Sequence, residues 1–202
     1  RVVSQPPQQT VREDVITVDM PLLLELPDLP VSALPEDWTP QQPKPEYLGS
    51  SPTLPVGHRD IVEKATELVG NAKTRLEAVQ TLNTWVFDIV AKEPSVGVPN
   101  GLEVLYSKRG DCNEHTALFV SLARAAGIPT RIAAGVVFSE RVGPKGQFYY
   151  HAWPEVQLGG PADWVPVDPT FGQVPADAAH IKLVEGDLDR QVEILGVIGK
   201  LK

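Results

Sequence analysis

The chain holds one cysteine, Cys112, in the run Arg109-Gly110-Asp111-Cys112-Asn113-Glu114-His115. Asp111 precedes it and Glu114 follows three residues after Asp111, a capping-box spacing that starts a helix at Cys112. A sulfur in the first helical turn lies beside unpaired backbone N–H groups and the positive end of the helix dipole. Such surroundings bring a free thiol from about 8.5 toward or below neutrality. The same amides can receive a developing oxyanion, so the position suits a nucleophile. The competing reading is a thiol packed as a small hydrophobe. Gly110 favours the nucleophile, because a glycine there lets a backbone or a substrate approach closely.

A nucleophilic thiol needs a base, and His151 is the best placed of four histidines. Around it, Phe148, Tyr150, Ala152, Pro154, Val156 and Leu158 alternate with Tyr149, His151, Trp153, Glu155 and Gln157, so His151 faces away from the more apolar side of a strand. A turn-rich segment, Gly159-Gly160-Pro161, leads into Trp164-Val165-Pro166-Val167-Asp168. If the two strands form a hairpin, Asp168 stands opposite Trp153 when the loop is 159 to 162 and opposite His151 when it is 158 to 161. In both registers His151 and Asp168 share a face within side-chain reach. The carboxylate can then hold one imidazole tautomer and stabilise the charged ring. Cys112, His151 and Asp168 make a nucleophile, a base and an orienting acid, the set required for acyl transfer through a thioester.

The elements that must position these groups are legible in the apolar spacing. Ile61, Ala65, Leu68 and Val69 form one helical stripe. Leu76, Val79, Leu82, Asn83, Val86 and Val90 form another from a Thr74 cap to about Lys92, and Pro94, Gly97 and Pro99 end it. A short helix over 102–107 precedes the cysteine, and residues 116–126 are apolar on most sides, which predicts a buried helix. Strands are predicted over 130–138, 147–158 and 164–167. Helices followed by a sheet give an α+β class.

Eleven of the twenty prolines fall in residues 1 to 57, including Pro40, Pro43 and Pro45, which predicts an extended arm. One strand is expected in it, at 14–20, where Asp14-Val15-Ile16-Thr17-Val18-Asp19-Met20 alternates. Residues 58–202 then form the catalytic domain. The arm could also cover the cleft as a pro-segment does.

Composition narrows the function. With 42% hydrophobic and 22% charged residues among 202, the chain has ordinary globular composition, and no apolar stretch reaches the length of a membrane span. A net charge of −8 gives a phosphate-tracking surface no electrostatic support, so nucleic acid is not expected as a partner. A single cysteine excludes an internal disulfide and a structural zinc site built on cysteine pairs. The chain starts at Arg1 and stops within the apolar stretch 192–198, which has the character of a trimmed fragment and, taken with the Pro-rich arm, makes an exported location the expectation rather than the cytoplasm.

Four blocks, 109–115, Leu122-Ala123-Arg124-Ala125-Ala126-Gly127-Ile128-Pro129-Thr130-Arg131, Tyr150-His151-Ala152-Trp153-Pro154-Glu155-Val156 and Trp164-Val165-Pro166-Val167-Asp168-Pro169-Thr170, together resemble the transglutaminase-like superfamily core. The resemblance covers roughly residues 60 to 185, and the flanks at 46–52 and 171–187 are similar to a bacterial branch. It implies a papain-like fold with a central cysteine-bearing helix packed on an antiparallel sheet. It also implies Cys112 as nucleophile, His151 as base and Asp168 as its partner. Members include crosslinking transglutaminases, peptidases, amidases and catalytically silent relatives. The expected substrate is accordingly a protein or peptide amide, no cofactor or metal is required, and a silent scaffold is the alternative.

Other residues have lesser expected roles. Asp111, Asn113, Tyr150, Trp153 and Trp164 are candidates for the rim of the site or for substrate contact. His115 is read as a helix residue near the site rather than a metal ligand, Trp85 as core, and Arg124 and Arg131 as ion-pair partners. His58 and His180 carry no expected role.

Overall fold

A computed structural model describes residues 8–19, 28–31, 46–95, 97–140, 145–159 and 164–186. The Pro40 to Pro45 cluster, the stretch 192–198 and much of the turn-rich segments after Ser139 and Gly159 lie outside the described residues.

The first described segment is a hairpin of β1 (Gln9–Arg12) and β2 (Val15–Val18), not the single expected strand. Its two-residue turn puts Glu13 at φ 52°, in the left-handed region, and so provides the chain reversal that the alternation in 14–20 did not reveal. Among the described residues four α-helices follow: α1 (Arg59–Val69), α2 (Arg75–Ile89), α3 (Gly101–Ser107) and α4 (Cys112–Ala125). Thr74 caps α2 as its sequence foretells, its hydroxyl accepting from the Glu77 amide at 3.3 Å. In α4, every residue from Glu114 to Arg124 is buried, which places this helix at the centre of the core. Ile61 and Ala65 of α1 and Val79, Leu82 and Val86 of α2 pack in the same cluster as Leu118, Phe119 and Leu122.

Between α2 and α4, β3 (Ala91–Lys92) and β4 (Arg109–Gly110) form a two-residue parallel ladder. It ties down the backbone immediately before Cys112. The main sheet is antiparallel, in the order β7 (Trp164–Pro166), β6 (Gln147–Gln157), β5 (Thr130–Ser139), β8 (His180–Glu185). The last of these strands was not foreseen. Glu155 pairs with Pro166 and Gln157 with Trp164. Extended along the strand, that register sets Asp168 opposite Trp153 and diagonal to His151, the first of the two registers the sequence left open.

One face of the sheet, with Ile132 and Val156, packs on α4. The other was expected to be the less core-like, yet it is buried too: His151 is 1% and Trp153 2% exposed. Gln9 and Val18 of the first hairpin lie against part of it, beside Trp153, His180 and Lys182. Gln9 donates to the Lys182 carbonyl and accepts from the Lys182 amide, both at 2.8 Å, so a side chain from the arm satisfies the outer edge of β8. The molecule therefore has the α+β, papain-like architecture expected. No helix among the described residues is long and apolar enough to cross a membrane.

Candidate active site

Cys112 is the first residue of α4, and the capping box ahead of it is complete. Asp111 Oδ1 accepts from the Asn113 amide at 2.9 Å, and the Asp111 amide donates to Glu114 Oε2 at 2.9 Å. Gly110 has a role different from the one expected. It lies at φ +151°, and a Cβ there would come within 2.3 Å of the Glu114 Cβ. The glycine thus leaves room for the capping glutamate rather than for a substrate.

The cap also changes the electrostatics of the thiol. Asn113 and Glu114 amides are taken by Asp111, which leaves the N–H of Cys112 itself as the first-turn donor outside the cap. Cys112 is partly exposed as a residue, but its thiol is shielded. Burial, with added repulsion from Asp111, Asp168 and Glu114, outweighs a hydrogen bond from the Ala152 amide and pushes the thiol up to about 12. This overturns the expectation that the helix terminus alone yields a thiolate. The carboxylates that build the helix start sit at the same end as the sulfur and oppose its charge.

The helix start is fixed to the sheet next to His151. Thr116 Oγ1 donates to the Ala152 carbonyl at 3.1 Å, and Tyr150 Oη donates to Asn113 Oδ1 at 3.0 Å. On the far face of β6, His151 Nε2 meets Asp168 Oδ2 at 2.7 Å, with Asp168 fully buried. Asp168 Oδ1 accepts from the amides of Thr170 (2.7 Å) and Phe171 (3.0 Å). Burial works against the charge of Asp168, but the bonds from His151 and His180 prevail and hold its carboxyl well below the usual carboxylate range. Phe171 stacks on the His151 ring with centroids 4.9 Å apart and planes 12° from parallel, shielding the imidazole on that side.

His180 is the residue that sequence reasoning missed. Its Nε2 reaches the same Asp168 Oδ2 at 3.0 Å, and its Nδ1 faces Asp177 Oδ1 at 3.0 Å and the Asp177 carbonyl at 3.1 Å. Alternation of Ile181 and Leu183 with Lys182 and Val184 was the available signal for the strand that carries it.

Other expected residues separate. Asp111, Asn113 and Tyr150 gather at the start of α4. Trp153 does not lie on a rim: it packs beneath the imidazoles, stacked near His151 (6.1 Å) and edge-on to His180 (5.1 Å). Trp164 is not there either. It pairs with Gln157, six residues along β6 from His151, and is wedged between Tyr47 and the Arg131 guanidinium. His115 is fully buried with Nδ1 donating to the Asp111 carbonyl at 2.6 Å, and burial lowers its pKa. Arg131 joins Glu155 and Glu185 in ion pairs as expected. Arg124 donates to the carbonyls of Thr130 and Gly49.

Among the described residues, His151, Asp168 and His180 bring three potential metal-ligating atoms within 4.8 Å of one another. Their hydrogen bonds converge on one carboxylate oxygen, an arrangement that uses protons where a metal would need lone pairs. The donor set therefore fits a proton network better than an ion.

Comparison with known proteins places the chain among relatives of one family. The curated protein-glutamine gamma-glutamyltransferase of Pseudomonas aeruginosa is 33% identical over 105 residues, covering 48% of this chain and 15% of that protein. The chain thus spans about a seventh of the relative's length. A candidate cysteine protease from Cytophaga hutchinsonii superposes with a TM-score of 0.55 at 16% identity, over 69% of this chain and 45% of the other. The periplasmic domain of TgpA from P. aeruginosa gives 0.46 at 23% identity, over 62% and 46%. The model of the transglutaminase-like superfamily matches residues 62–169, just over half of the sequence and every position from within α1 through Asp168, and the chain belongs to that family.

Proposed function

We propose that the chain is a cysteine-dependent acyltransferase or hydrolase acting on amide bonds of proteins or peptides. The family supports cysteine-dependent acyl transfer or proteolysis as the class of chemistry. The observation that carries the finer reading is the buried 2.7 Å bond from His151 Nε2 to Asp168, one residue from the backbone amide that bonds the Cys112 sulfur.

With Nε2 committed to Asp168, Nδ1 of His151 is the nitrogen left to act as base. The thiol rests protonated, so its proton passes to His151 Nδ1 as the sulfur attacks the amide carbonyl. The carbonyl oxygen becomes an oxyanion that the Cys112 N–H can receive. His151 returns the proton to the departing amine, and the C–N bond breaks to leave a thioester on Cys112. Water or a second amine then attacks that thioester, giving its proton to His151 and restoring the thiol. The first outcome is hydrolysis and the second is crosslinking or amine transfer.

The test incubates the protein with a glutamine-containing peptide, with and without a fluorescent primary amine, and reads intact mass after acid quenching. A peptide adduct on Cys112 lighter than simple addition by one ammonia supports acyl transfer, and shortened peptide supports proteolysis. Unchanged peptide and unmodified Cys112 across a panel of amides would favour the silent scaffold. In iodoacetamide labelling, a rate below pH 9 that disappears in His151→Ala is expected, because only proton transfer to the imidazole frees a thiol held so high.

A further inference from the structure

We propose that His180 is a standing imidazolium that fixes Asp168 and limits how strongly Asp168 holds the proton on His151, which makes it a positioning residue of the same site. The argument starts from lone pairs. A neutral imidazole always presents one nitrogen without a hydrogen. His180 offers neither nitrogen a donor: Nε2 faces the carboxylate of Asp168, and Nδ1 faces the carboxylate and the carbonyl of Asp177. At 4% exposure the ring is shielded, and a lone pair set against an oxygen there would be a buried mismatch. Only the doubly protonated ring satisfies both contacts.

Every charged group around the ring is accounted for. Asp168 comes from the loop after β7, Asp177 from the loop before β8, and His151 from β6, its centroid 5.5 Å away. Behind lies a cavity of about 30 Å³ lined in part by Gln9, Glu155 and Lys182. Glu155 and Lys182 are paired to each other at 3.1 Å and balance in charge. Trp153 and Phe171 close the rest.

The consequence concerns His151. Asp168 receives four N–H groups, from His151, His180, Thr170 and Phe171, so both its position and its lone pairs are taken up. A lone carboxylate would stabilise a charged His151 strongly. One already matched by His180 does so less, and the two imidazoliums repel. His180 therefore makes the protonated His151 a stronger acid toward the departing amine. This catalytic consequence rests on the proposed function, whereas the charge state does not.

The experiment is ¹⁵N NMR of the ring nitrogens in the full chain. Two protonated nitrogens on His180 from pH 5 to 8 are expected, and a neutral tautomer at pH 7 would overturn the proposal. In His180→Gln, which keeps an N–H for Asp168 but drops the charge, the ¹H resonance of the His151 Nε2 proton should move downfield as its bond to Asp168 tightens. An unchanged or upfield resonance would overturn the effect on His151. Should that variant fail to fold, the wild-type spectrum still decides. Neither readout uses turnover, so failure of acyl transfer and failure of this proposal are separately visible.

Discussion

Cys112 illustrates how a residue's environment can oppose its assigned chemistry until a partner acts. Its thiol is pushed up to about 12, so under the proposed function its reactivity would depend on His151 rather than on the helix terminus. Cys112→Ser should reduce turnover by roughly three orders of magnitude or more while leaving thermal unfolding close to that of the parent, measured by steady-state rates and calorimetry. Asp168→Asn removes the acceptor that sets the His151 tautomer, and a loss of roughly 10⁴ in kcat is expected. The two buried charges also have opposite pH signatures. Asp168 has a lowered folded pKa, so its contribution to stability is present above the unfolded value and is lost as pH falls below about 4. His180 is raised: burial favours the neutral ring, but Asp168 and Asp177 outweigh it. Its contribution is complete below about 6.5 and disappears as pH rises through the folded value. Denaturant midpoints from pH 6 to 9 should fall in the parent and flatten in His180→Gln.

At the level of elements, the start of α4 and the bulge of β8 decide where these side chains stand. Gly110→Ala would drive a Cβ into Glu114 at a backbone conformation unfavourable to alanine. A loss of about 2 kcal/mol, read from denaturant midpoints, is expected because both the cap and the glycine conformation are forfeited. The strand β8 shifts register against β5 between Ala134 and Gly135, and a Cβ on Gly135 would meet the Ile181 carbonyl at 2.0 Å. That glycine lets β8 come close enough to present His180 to Asp168. The cap was legible because it depends on residues three apart. The bulge was not, because it depends on a carbonyl more than forty residues away.

Across the whole molecule, the proposed catalytic face lies under a segment from the other end of the chain. Gln9 satisfies both backbone groups of Lys182, and the first hairpin lies against the part of the sheet around Trp153 and His180. Gln9→Ala should speed amide exchange at Lys182 and cost about 1–2 kcal/mol in stability, since a buried strand edge loses its partner. Alternation and helical stripes determined four helices, three strands of the sheet, the capped cysteine and a shared face for His151 and Asp168. These follow from local spacing, which one sequence displays directly. Only the tertiary structure decided the hairpin register, the burial of the face that alternation marked as the less core-like, the displacement of Trp164 from the site, and the arrival of His180. Each of these depends on which distant segment covers a surface, and no periodicity within a strand records what will lie on top of it.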